Sequence, residues 1–160
     1  MQIDSTTSLQ RCITRLIESE MQFVSNMQSF HRRIVEPLIN ETWFSMRDFE
    51  LLFGSVSSLV EFHNDFLGQL GNIFDGSDWI DYIVVVFSNI LGGFIELYSK
   101  YCSDFFLRSK TLEKLRRHDT FCAFLKMAGF EMTPPTLHVH SYLQGPFQRI
   151  DTYLHFFQVS

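Results

Sequence analysis

Apolar residues recur every three to four positions along most of this chain, and that period constrains the fold more than any other feature. In the first long segment they fall at Leu9, Cys12-Ile13, Leu16-Ile17, Phe23-Val24, Met27, Phe30 and Ile34. This is the stripe of an amphipathic helix, with Pro37 expected to mark its end. A second helix is predicted from about Arg47 to Leu70, with Ser45 and Asp48 spaced as a capping pair at its start. The glycines and small polar residues between Gly71 and Ser77 predict a loop. Ile80, Ile83-Val84, Phe87, Ile90-Leu91, Phe94, Leu97-Tyr98 and Tyr101 then hold the helical period for six turns. The β-branched run inside this segment would suit a strand in isolation, but no hairpin turn interrupts the spacing. Shorter helices are expected from Phe105 to Leu115 and from Thr120 to Ala128, with Gly129 as the stop. Thr133 is placed to cap the last helix, with Pro134 at its first position. That helix carries Leu137, Tyr142-Leu143, Phe147, Ile150, Tyr153-Leu154 and Phe157, and Gly145-Pro146 should kink or reset it.

Helices joined by short loops, each with one apolar stripe, predict an all-α bundle of one domain. The 18 phenylalanines among 160 residues predict a bulky aromatic core. A formal charge of −5 argues against nucleic acid as partner, because phosphate binding needs a surplus of clustered cations. The clusters Arg32-Arg33 and Arg116-Arg117-His118 are read as helix faces or ends. Cys12, Cys102 and Cys122 show no paired spacing, so neither zinc nor a disulfide framework is indicated. The longest apolar run, Ile83 to Phe87, is too short to span a bilayer, and no signal-peptide pattern opens the chain. The expected setting is cytoplasmic.

A few residues break the pattern. Glu20 stands where the first stripe calls for an apolar side chain. An ionised carboxylate there costs several kcal/mol unless it is paired or solvated. Two readings are open: a carboxylate displayed for a partner to cover, or one at the stripe's edge paired with a basic residue of another helix. In the last segment Gln148, Thr152 and His155 share one polar face, either solvated or a partner surface. His138 and His140 would lie about 200° apart on a helix, so no metal site is expected. His63 is placed in the core or at its boundary. No GxSxG, HExxH or glycine-rich phosphate loop is present, and neither covalent chemistry nor a cofactor is implied.

The pattern of particular residues adds a family. Leu16-Ile17-Glu18-Ser19-Glu20-Met21-Gln22-Phe23-Val24 resembles the first conserved region of Dbl-homology (RhoGEF) domains, Leu-Ile-x-Thr-Glu-x-x-Tyr-Val. Leu52-Phe53-Gly54-Ser55-Val56 and Phe62-His63-Asn64-Asp65-Phe66-Leu67 resemble the second. Ile80-Asp81, Phe94, Tyr98 and Tyr101-Cys102 are similar to Ile-Gly-Asp and Phe-x-x-x-Tyr-x-x-Tyr-Cys. Tyr142-Leu143-Gln144-Gly145-Pro146-Phe147-Gln148-Arg149-Ile150-Asp151-Thr152-Tyr153 resembles Phe-Leu-x-Lys-Pro-Val-Gln-Arg-Ile-x-Arg-Tyr. All four occur in family order between about residues 9 and 159.

The resemblance implies guanine-nucleotide exchange on a Rho-family small GTPase, by stabilising its nucleotide-free state. It implies that Glu20 engages switch I and that Gln148 and Thr152 face switch II. Arg149 belongs to the same GTPase-binding set, with a mainly structural role. Thr152 and Gly145 replace two basic residues of the family pattern. Loss of the cation at 152 removes a charge-assisted contact of about 1.5–3 kcal/mol, or one to two powers of ten in rate. These departures leave a second expectation, a degenerate domain serving as a GTPase-binding scaffold without exchange. The chain is expected to stop short of the end of the family's last long helix, and to sit beside other domains in a larger protein that recruit it to membranes.

Overall fold

In a computed structural model the described residues are 2–130 and 133–158, with 2–6 and 157 described by their backbone alone. The stripe position expected of Phe157 therefore lies outside the described residues. The elements are α1 (Gln2–Phe30), a π-helical turn (His31–Val35), α2 (Glu36–Ile39), α3 (Met46–Phe53), α4 (Val56–Leu70), α5 (Trp79–Ser103), α6 (Phe105–Leu115), α7 (Asp119–Met127) and α8 (Thr136–Gln158). No strand occurs among the described residues. α1 packs along α4 and α8, α5 lies against α4, and α3 and α6 close one end. The all-α bundle expected from the periodicity is what forms, and the β-branched run of α5 is helical throughout.

Pro37 does not end the first helix. The backbone passes into a π-turn in which the Glu36 N–H reaches the His31 carbonyl, and Pro37 then falls in the first turn of α2, where its missing N–H costs little. The wider turn lets the consecutive Ile34 and Val35 both face the core. The predicted second helix is two, α3 and α4, parted at Gly54 and Ser55. Ser45 caps α3 as expected, its hydroxyl accepting from the Asp48 N–H at 3.3 Å.

α8 starts at Thr136, later than the cap at Thr133 predicted. Pro135 disfavours helical backbone at Pro134, so the helix opens only after both prolines. Nor does Gly145-Pro146 break α8, which runs through Pro146. Gly145 has no Cβ to meet the proline ring. The buried Tyr101 hydroxyl donates to the Leu143 carbonyl in the turn before the proline. Burial pushes the Tyr101 hydroxyl up to about 12, and the Arg108 guanidinium stacks 3.7 Å from its ring centre.

One residue of each basic cluster serves a helix end. Arg33 donates to the Ala128 carbonyl at the end of α7, where a cation suits the helix dipole. His118 caps the start of α7 by accepting from the Phe121 N–H at 3.1 Å. The core joins Phe30, Phe44, Phe49, Phe53 and Phe121 with Tyr98 and Tyr101, as the phenylalanine count predicts. By length and composition α5 could cross a membrane, although its longest unbroken apolar run is short. Tyr98, Tyr101, Ile83 and Val86 nonetheless sit in the bundle core.

Candidate functional site: the lock between α1 and α8

Glu20 lies midway along α1, in line with Ile13, Leu16, Val24 and Met27, and like them it is buried, with no exposed surface. The helical period that puts those residues inward carries Glu20 with them. Its carboxylate is saturated by three side chains from two other helices. His63 on α4 meets Oε1 at 2.6 Å. On α8, Arg149 donates to Oε2 from Nε at 2.8 Å and from Nη2, and Tyr153 donates to the same oxygen at 2.6 Å. The far nitrogen of His63 meets the Tyr98 hydroxyl of α5 at 2.5 Å, and Arg149 also donates to the Ser19 hydroxyl. A single acid thus ties α1 to α4, α5 and α8.

Burial alone would raise the Glu20 pKa, but the hydrogen bond and charge of His63, the Arg149 cation and the Tyr153 hydroxyl together hold it below the usual carboxylate value. Tyr98 and Tyr153 shift the opposite way. Burial first, and then the nearby Glu20 charge, raise both phenols well above their ordinary value, so both hydroxyls stay neutral and Tyr153 donates to Glu20. The Arg149 guanidinium lies over the Tyr153 ring at 4.5 Å and over Phe23 at 5.8 Å, which closes its faces to water.

Beside this lock, α1 and α8 enclose a cleft of about 390 Å³. Ser19, Gln22, Phe23 and Asn26 form one wall, and Tyr142, Gly145, Gln148 and Thr152 the other. Gln22 donates to Asn26 at 2.9 Å, and the Thr152 hydroxyl is turned onto the Gln148 carbonyl at 2.9 Å. Gln148 is exposed and Thr152 half-buried.

The four residues singled out in the sequence are therefore neighbours. Arg149 binds Glu20 directly, and Gln148 and Thr152 stand on the adjoining cleft wall; His155, on the same helix, is exposed. The expectation of a displayed carboxylate is corrected: Glu20 is paired with a basic residue of another helix, and at full burial rather than at a stripe's edge. Sequence reasoning left out Tyr98 and Tyr153, which it treated as apolar, and did not join His63 to Glu20. Two polar residues on the apolar stripes of different helices were the available signal, since each is stable there only by meeting a partner. Among the described residues no group of three His, Cys, Asp or Glu side chains is arranged to hold a metal.

The model of the RhoGEF domain family matches residues 12–159, nearly the whole chain. The chain belongs to the RhoGEF, or Dbl-homology, family. It is 30% identical over 91% of its length to human Rho guanine nucleotide exchange factor TIAM2. It is 24% identical over 90% of its length to rat Rho guanine nucleotide exchange factor 1. It covers only 9% of the first of these proteins and 16% of the second. Among solved structures, the N-terminally truncated linker-DH/PH domains of p115-RhoGEF superpose with a TM-score of 0.80 at 23% identity, over 97% of this chain and 48% of that one. The Vav1 exchange factor gives 0.79 at 21%, over 92% and 39%. At these identities the structures speak for the fold, and this RhoGEF domain has the Dbl-homology bundle.

Proposed function

We propose that this RhoGEF domain promotes nucleotide exchange on a Rho-family small GTPase by binding its nucleotide-free state in preference to the nucleotide-bound state. The supporting observation is the α1–α8 face, where a buried ion pair fixes two helices in register and a polar cleft opens beside it. Exchange asks for differential binding alone: the domain speeds release to the extent that it holds the opened GTPase more tightly than the closed one. Gln148 offers an exposed amide with both donor and acceptor to the main chain of a switch loop. Thr152 widens the contact, and Arg149 sets the register of both by its grip on Glu20. Glu20 works from beneath the surface, because a direct contact with the GTPase would require it to leave a lock whose disruption costs about 3–5 kcal/mol.

A specific observation favours a second reading. With all the bonds of Glu20 made inside the domain and no cation at 152, the face suits a scaffold that binds a GTPase without opening it. Release of a fluorescent nucleotide from a Rho, a Rac and a Cdc-type GTPase separates the two. Exchange predicts acceleration that falls on Gln148→Ala. Binding without acceleration favours the scaffold, and neither result with any of the three GTPases defeats both. We place the domain in the cytoplasm, within a larger protein whose other domains bring it to membranes.

A further inference from the structure

Arg108 of α6 is a buried cation with no ion-pair partner among the described residues. It is 5% exposed, and its Nη2 makes no hydrogen bond. What holds it is aromatic: the guanidinium stacks 3.7 Å from the Tyr101 ring centre and lies 5.9 Å from that of Phe147. Burial is the largest influence on its pKa and pushes it below the usual guanidinium value. Buried charges are stable where a partner of opposite sign meets them, and within this domain none does. Arg108 lines a crevice between α6 and α8 with room of about 10 Å³, enough for a single oxygen atom. Ser109, Leu112 and His140 wall both this crevice and a chamber of about 520 Å³ at the start of α8. Arg116 lines that chamber, 3.5 Å from Glu113.

We infer that this groove receives an acidic side chain of a partner peptide, whose carboxylate enters the crevice to meet Arg108 while a neighbouring apolar residue lies on Leu112 and Leu137. Charge selects the ligand. Arg108 and Arg116 against Glu113 leave a net charge of +1 at the groove, two cations less one anion. One carboxylate cancels it, whereas a phosphate dianion overruns it and meets Glu113 besides. A water molecule fits the crevice but leaves the charge uncancelled. Beyond the crevice the chamber offers an apolar wall, with Leu137 41% exposed and Leu112 buried beneath. A carboxylate beside an aliphatic side chain matches both parts. The groove lies along the first half of α8, away from its Gln158 end.

The site is independent of the GTPase reading. His140, Leu143, Gln144 and Phe147 of the crevice lie roughly 120° round α8 from Ser141, Gly145, Gln148 and Thr152 of the cleft. The test adds the peptide acetyl-Leu-Glu-Leu-amide to the domain and follows the backbone amides of Ser109 and His140 by NMR. Both should shift saturably. The Leu-Gln-Leu counterpart keeps the shape without the charge and should bind at least tenfold more weakly. Arg108→Met keeps a side chain on the Tyr101 ring and strands no charge, so helicity and melting temperature should hold while binding is lost. Arg116→Gln, at a half-exposed position, is the second variant should the first unfold the domain, and it should weaken binding severalfold. No shift with the glutamate peptide, equal binding of the two peptides, or binding indifferent to both substitutions would each overturn the inference. Tighter binding of the phosphoserine counterpart would overturn it too, since the groove would then be built for a dianion.

Discussion

Replacing Glu20 by leucine should be among the most destabilising single changes open to this domain. The side chain accepts from His63, from two nitrogens of Arg149 and from Tyr153, with no exposed surface. Without it the guanidinium of Arg149, itself 4% exposed, keeps only the Ser19 hydroxyl. Breaking one side of a buried ion pair costs about 3–5 kcal/mol, a third or more of the stability of a typical domain. Arg149→Met should cost a similar amount by stranding the carboxylate. The double variant should cost far less than the sum, because it leaves no buried charge unpaired. Urea unfolding followed by circular dichroism reads this directly: at about 2 kcal/mol per M, each single change lowers the midpoint by roughly 2 M. Two single variants within about 1 kcal/mol of the parent, and additive when combined, would refute the idea that this pair locks α1 to α8.

Other consequences follow from the same geometry. Glu20 titrates below its unfolded value, so its stabilisation is whole above about pH 4.5 and is lost as pH falls through its folded pKa. Glu20→Gln should therefore flatten the acid limb of a stability–pH profile measured by urea midpoints. Thr152→Arg restores a cation to the cleft wall and should speed nucleotide release about 10- to 100-fold in a stopped-flow assay, provided the domain is an exchange factor. Gly68→Ala lies on α4 with nothing near the new methyl, so it should add about 0.5–1 kcal/mol in the same urea assay, a control far from the lock.

The bundle was legible because its stripes are long. Ile13, Leu16, Val24, Met27 and Phe30 are all buried, and so are Ile83, Tyr98 and Tyr101, whereas Ile80, Val84 and Leu91 of the same expected α5 stripe are exposed and Val86, outside it, is buried. The break at Gly54 escaped notice because the stripe crosses it unbroken: Phe49, Leu52, Phe53, Val56 and Leu59 all reach the core. The π-turn was hidden because a proline signals where a ladder loses a donor, not whether the chain stops or slips by one residue. At the site, Glu20, Gln148 and Thr152 stood out as breaks in the apolar stripes, and the family pattern gave them, with Arg149, a place on a GTPase-binding face. The burial of Glu20 was not legible, because a carboxylate on an apolar stripe is explained equally by a missing partner and by one supplied from 129 residues away. Periodicity within one helix carries no information about which helix comes to rest against it.

Whether the α1–α8 face acts on a GTPase is tested most directly by comparing the domain's affinity for one Rho-family GTPase in two states, stripped of nucleotide and loaded with GDP and magnesium. The account predicts at least tenfold tighter binding to the stripped form, with the preference reduced in Gln148→Ala. Equal affinity for both forms would contradict it, since a binder with no preference between two states cannot shift their populations however tightly it binds.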